Sequence, residues 1–107
     1  MDVLSRADEI LLLAVLRLKD DACGVSVVKE VKQRTGKTLK LEGLWVSLDI
    51  LSKRGLVEKR MGNPTAKRGG RSKIYYSLTP GGYQALSRVK NLNRTLWQGI
   101  GELIKEF

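Results

Sequence analysis

The chain has 107 residues, with twenty Lys and Arg against eleven Asp and Glu, one Cys and no His, giving a net charge of +9. A single cysteine excludes an internal disulfide and suits a reducing cytoplasm, and without histidine neither a zinc site nor a histidine-based catalytic pair can be assembled. No apolar run approaches the ~18 residues of a membrane span, no signal peptide precedes Met1, and the glycines follow no phosphate-loop spacing, so a membrane protein, an enzyme or a cofactor-binding protein is not expected.

The distribution of charge says more than its size. Residues 1–21 hold three basic and five acidic side chains, residues 22–79 thirteen and four, and residues 80–107 four and two. The middle segment alone therefore equals the whole net charge. A field concentrated in this way points to a polyanion more than to general solubility. A single domain of this size buries only about two-thirds of its unfolded surface, so a long terminal helix with apolar positions to spare needs a partner.

A first helix is expected over Ser5 to Leu18, with Ser5 as N-cap and Asp8 and Glu9 at the positive end of its dipole. Its apolar residues, Ile10 to Leu16 and Leu18, wrap most of the circumference, so cover is expected on more than one side. Lys19 to Gly24 reads as a turn. Cys23, at the start of the next helix, is either mildly activated there or, as the plainer alternative, a small buried filler. The second helix runs from about Val25 to Arg34, with Val27, Val28 and Val31 inward and Thr35-Gly36 closing it.

The third helix spans roughly Leu41 to Arg54, with Leu44, Leu48 and Leu51 as its inner stripe and Trp45 closing the core beside them. Its outward positions are Gly43, Val46, Ser47, Ile50 and Arg54. Should this helix enter a major groove, Ser47 can hydrogen-bond a base edge, Val46 can meet a thymine methyl, and Gly43 lets the backbone come close. Gly55 ends the helix, and Leu56 to Arg60 alternates as a strand. The stretch from Arg60 to Lys73 holds five basic residues and no acid, and its turn formers Gly62, Asn63, Pro64, Gly69 and Gly70 interrupt any strand. Ile74 to Thr79, aromatic and β-branched, is the returning strand. A hairpin with a basic tip, placed after a helix, is the wing of a winged helix-turn-helix. After Thr79-Pro80, an N-cap and N1 pair, a last helix places Leu86, Val89, Asn93, Leu96, Ile100, Leu103 and Phe107 in heptad steps. Leu92, Trp97 and Ile104 widen that seam, while Gly99 and Gly101 weaken the helix.

The run Leu44-Trp45-Val46-Ser47-Leu48-Asp49-Ile50-Leu51, followed by Gly55-Leu56-Val57, resembles the recognition helix of the PadR family, named for the phenolic-acid-decarboxylase repressor. The likeness continues through Gly69-Gly70-Arg71-Ser72-Lys73-Ile74-Tyr75-Tyr76-Ser77-Leu78-Thr79 to Gly82, and covers roughly Ile10 to Leu86. The resemblance implies a transcription regulator, in most members a repressor, that dimerises through a C-terminal helical part. Three departures stand out: Trp45 replaces a usual tyrosine, Lys40 a small capping residue, and Val25 a common tyrosine. With one C-terminal helix, the chain resembles the short subgroup.

The expected fold is α+β, mainly α: a winged helix-turn-helix of three helices and a two-stranded β wing over residues 1–79, with a C-terminal dimerisation helix over residues 80–107. The expected partner is double-stranded DNA, bound by a cytoplasmic homodimer acting as a repressor on an inverted repeat. Phosphate contacts are assigned to Lys32, Lys37, Lys40, Lys53 and Arg54, with Lys67, Arg68, Arg71 and Lys73 in the wing reaching the backbone or minor groove. The dimer interface is assigned to Leu11, Val15, Val89, Leu92, Leu96, Trp97, Ile100 and Leu103. Trp97 either packs there or offers a flat aromatic surface to a planar small-molecule inducer. Two alternatives fit the same residues: an architectural protein coating DNA with little sequence preference, and a winged helix that binds another protein.

Overall fold

The computed structural model describes residues 4–62 and 73–106. Along the chain lie α1 (Arg6–Leu18), α2 (Gly24–Thr35), α3 (Leu41–Lys53), β1 (Val57–Met61), β2 (Ile74–Leu78), α4 (Pro80–Trp97) and the short α5 (Gly101–Ile104), with a 3-10 turn at Lys19–Asp21. The capping residues explain most of the boundaries. The Ser5 hydroxyl accepts from the Asp8 N–H at 3.0 Å and starts α1. The Cys23 N–H donates to Ser26 Oγ at 2.9 Å, one half of a capping box that starts α2. Thr79 accepts from the Gly82 N–H at 3.1 Å, with Pro80 as the first helical residue of α4.

The core is where α1, α2, α3 and the wing meet. Leu12, Val15, Val27, Leu48, Leu51 and Val57 are its most deeply buried side chains, and Leu44, Tyr76 and Leu78 join them. The inner stripe read from α3 is therefore the stripe the fold uses. Cys23 is a buried member of this region, as the filler reading expects. Burial raises its thiol pKa, but hydrogen bonds from the Ser26 side chain and from backbone N–H groups outweigh that, and the net direction is down.

The wing is a two-stranded antiparallel sheet in the register Val57↔Leu78 to Met61↔Ile74. Its first strand begins at Val57, not Leu56. The Leu56 N–H is spent on the Leu51 carbonyl at 3.0 Å, closing the end of α3 before the ladder starts. On its other edge β2 meets the segment before α2: the Tyr76 N–H donates to the Ala22 carbonyl at 2.8 Å, and Cys23 bridges Tyr75. The base of the wing is thus stitched into the helical core. Gly82 shows how closely α4 follows, because a Cβ there would collide with the Leu56 carbonyl oxygen.

The C-terminal region departs from expectation. The heptad seam does not continue as one helix: α4 ends at Trp97, and α5 begins only at Gly101. Gly99 between them has φ +79°, a left-handed conformation that terminates a helix and that other residues adopt at a cost. Ile100 and Leu103 are therefore out of register with Leu96. Among the described residues no helix is long and apolar enough to cross a membrane.

Candidate nucleic-acid interface

With Leu44, Leu48 and Leu51 turned inward, α3 presents Val46, Asp49, Ile50 and Lys53 outward at spacings of i, i+3, i+4 and i+7. On a helix these positions form one contiguous strip. Val46 is 62% exposed and Ile50 51% exposed, a large apolar area that the core leaves untouched. Gly43 is exposed, with open space where a Cβ would stand, so the backbone can be approached closely. Ile50, outward by its spacing but not among the residues assigned to DNA contact, stands on the same exposed strip as Val46.

Ser47 is placed differently from the reading of it as a central outward residue. It is half-buried and lines a half-open cavity of about 230 Å³ with Ile10, Leu11, Leu39 and Leu44, while Lys37 and Lys40 also line that cavity. It sits about 100° around α3 from Val46, because successive helical residues are separated by that angle. Trp45 is also corrected. Instead of closing the core it is half-exposed, and its indole lies against Gly24 at the start of α2, where a Cβ would meet Nε1 at 2.7 Å.

The basic residues divide into those already engaged and those turned outward. Lys32 Nζ donates to the Gly36 carbonyl at 3.1 Å and to Thr38 Oγ1 at 3.0 Å, bracing the turn between α2 and α3. Arg54 pairs with Asp8 of α1 at 2.9 Å, so this residue, read as a phosphate contact, ties two helices together. Lys53 pairs with Asp49 at 3.2 Å, though its side chain is 79% exposed. Lys37 and Lys40 have no ion pair among the described residues. Lys73 is half-buried at the start of β2, where its carbonyl accepts from the Gly62 N–H at 2.7 Å. Lys67, Arg68 and Arg71 lie outside the described residues.

Two wing residues absent from the expected site turn out to organise it. Arg60 Nη2 donates to the Asp20 carbonyl at 2.7 Å, and its guanidinium stands 4.8 Å from the centre of the Tyr75 ring. Lys59 Nζ reaches Asp49 Oδ1 at 2.6 Å, joining β1 to α3. The hydrogen bonds from Lys59 and Lys53, with their charges, hold the Asp49 carboxyl below its ordinary range, and the Asp49 bond raises the Lys59 ammonium above its own.

Of the residues assigned to a dimer interface, Leu11 and Val15 belong to the core at 6% and 1% exposure and are unavailable. Most of the apolar wrap of α1 is covered by α2, α3, α4 and the wing within one chain, while Leu13 stays 42% exposed. Val89 packs partly against that core. Leu92, Leu96, Trp97, Ile100 and Leu103 are all exposed.

No protein-family model matches the chain, and no curated protein matches it in sequence. Solved structures do. A PadR family transcription regulator from Clostridium difficile is 25% identical, with 92% of this chain and 95% of that one covered, at a TM-score of 0.64. A PadR-like transcriptional regulator from Bacillus cereus is 15% identical over 92% of each chain, at a TM-score of 0.71. Bacillus subtilis PadR, solved in complex with operator DNA, is 24% identical at a TM-score of 0.63, with 78% of this chain but only 46% of that one covered. In fold the chain is similar to these PadR regulators, a winged helix with a two-stranded antiparallel wing.

Proposed function

We propose that this PadR-like winged-helix chain is a cytoplasmic transcription regulator that binds duplex DNA. It acts as a repressor, a homodimer on an inverted-repeat operator. The observation that carries the reading is the outer strip of α3, apolar at Val46 and Ile50 and left free by the core, set inside the one segment that holds the net positive charge. A helix presenting a clean exposed face next to a basic hairpin suits a major groove with phosphates on either side. Lys37 and Lys40 before α3, and Lys67, Arg68, Arg71 and Lys73 in the wing, supply the phosphate contacts in this reading. Val46 and Ile50 supply contact with thymine methyl groups.

A second copy is the occupant proposed for the apolar residues of α4 and α5. Leu92, Leu96, Trp97, Ile100 and Leu103 form the interface in this reading, and a two-fold axis there would set two α3 helices about 34 Å apart. Trp97 also offers a flat surface to a planar inducer lodged beside that interface.

The test is a binding titration across salt with a duplex from the gene's own upstream region and with random duplex. Tighter binding to the upstream fragment, with a steep salt slope for both, is the expected result. Equal affinity for both favours the architectural alternative, which the lack of hydrogen-bonding groups at Val46 and Ile50 makes the strongest rival. No binding to either would remove the DNA reading.

A further inference from the structure

Glu42 and Asp49 are the acidic residues of α3, and Asp49 is the one that two lysines hold on the surface otherwise suited to a polyanion. Asp49 lies between Val46 and Lys53 on the outer strip of α3, and its two oxygens are held by two lysines from different elements. Lys59 of β1 reaches Oδ1 at 2.6 Å, and Lys53 of α3 reaches Oδ2 at 3.2 Å. The group is not structural in the ordinary sense. It is neither buried nor part of the core, and its side chain is 39% exposed. Exposed pairs of this kind contribute little to folding, because solvent screens them. Its effect on charge is larger: two ammonium groups at the junction of α3 and the wing present the field of one.

We infer that Asp49 limits sequence-independent binding to the DNA backbone by occupying Lys53 and Lys59. The inference rests on the DNA-binding reading and adds a specificity element to it. Binding without regard to sequence draws nearly all its free energy from cations that replace condensed counterions on phosphates. A complex of that kind is free to shift until every available lysine meets a phosphate. Asp49 removes two lysines from that pool and places a negative charge where a phosphate would approach. A docked complex retains the apolar contacts of Val46 and Ile50, which the carboxylate leaves intact. Asp49 thus acts as a positioning residue, through the two lysines and not by touching a base.

The experiment measures binding to random-sequence duplex over a range of salt for the wild type, Asp49→Asn and Asp49→Glu. The account expects Asp49→Asn to bind about tenfold more tightly at low salt, with a log–log salt slope steeper by about 0.9 for each lysine released. Asp49→Glu keeps the charge and should behave as the wild type. Adding Lys53→Gln and Lys59→Gln to Asp49→Asn should abolish the gain. Melting temperatures accompany each variant, and Asp49→Ser serves as a second neutral replacement if Asp49→Asn proves unstable. A folded neutral variant whose affinity and slope match the wild type, or whose binding is weaker, overturns the inference while leaving DNA binding itself intact. Failure of the wild type to bind any duplex overturns both.

Discussion

The two ends of the chain hold similar apolar residues and use them in opposite ways. In α1 and α3, Leu12, Leu48 and Leu51 are sealed from solvent, and each leucine is spent on holding α1, α2, α3 and the wing together. Beyond Val89, Leu96 is 62% and Leu103 70% exposed, and none of the described residues is buried. Fully burying one such side chain is worth about 1.5–3 kcal/mol, so several left in water represent a sizeable unspent driving force. In the proposed reading, the first region serves the fold of one chain and the second serves association.

The sharpest way to break that contrast is to damage each side in turn. Leu48→Ala opens a cavity among α1, α2 and α3, and should cost about 2–5 kcal/mol in denaturant unfolding. Leu96→Asp or Leu103→Asp, by contrast, should leave the melting of the single-chain fold close to the wild type. Each should lower the dimer fraction in sedimentation and weaken operator binding by about 10²-fold, since the second half-site no longer binds as part of one molecule. A large loss of fold stability in either aspartate variant would merge the two regions into one.

Smaller effects sharpen the surface side of the comparison. Arg68→Ala combined with Arg71→Ala should weaken DNA binding without unfolding the domain, and flatten the salt slope by about 0.9 for each lost phosphate contact. Ser47→Ala should change stability far less than Leu48→Ala, despite lying one residue away.

The smallest effect concerns pH. Asp49 is held below the unfolded aspartate value of about 3.9, so its contribution is present above that pH and is lost as pH falls through the lower folded value. Lys59 is raised, so its share is complete below about pH 10.4 and is lost as pH rises through the folded value. Comparing acid unfolding of the wild type with Asp49→Asn should therefore show a slight wild-type advantage that starts to shrink below about pH 4 and is gone once pH has fallen through the lower folded value.

Local chemistry made much of the fold legible. Ser5, Gly36, Gly55 and Thr79-Pro80 marked helix ends because caps and left-handed turns depend on neighbouring residues alone. The stripe Leu44, Leu48 and Leu51 followed from period, which needs no knowledge of the rest of the chain. What sequence could not supply was the identity of long-range partners. Arg54 and Asp8 are 46 residues apart, and Arg60 and Asp20 are 40 apart, so their use as internal ties was invisible. Leu11 and Val15 are buried by α2, α3, α4 and β2, elements distant in sequence whose convergence on α1 spacing alone does not reveal. The break at Gly99 was signalled by composition, but the heptad steps on either side of it outweighed that signal.

The measurement that bears most directly on the division between fold and association is sedimentation velocity of the wild-type chain at micromolar concentration. The account predicts a species of about twice the 12.0 kDa single chain, with dissociation on dilution that Leu96→Asp shifts to higher concentration. A monomer throughout that range, binding its operator with undiminished affinity, would contradict it.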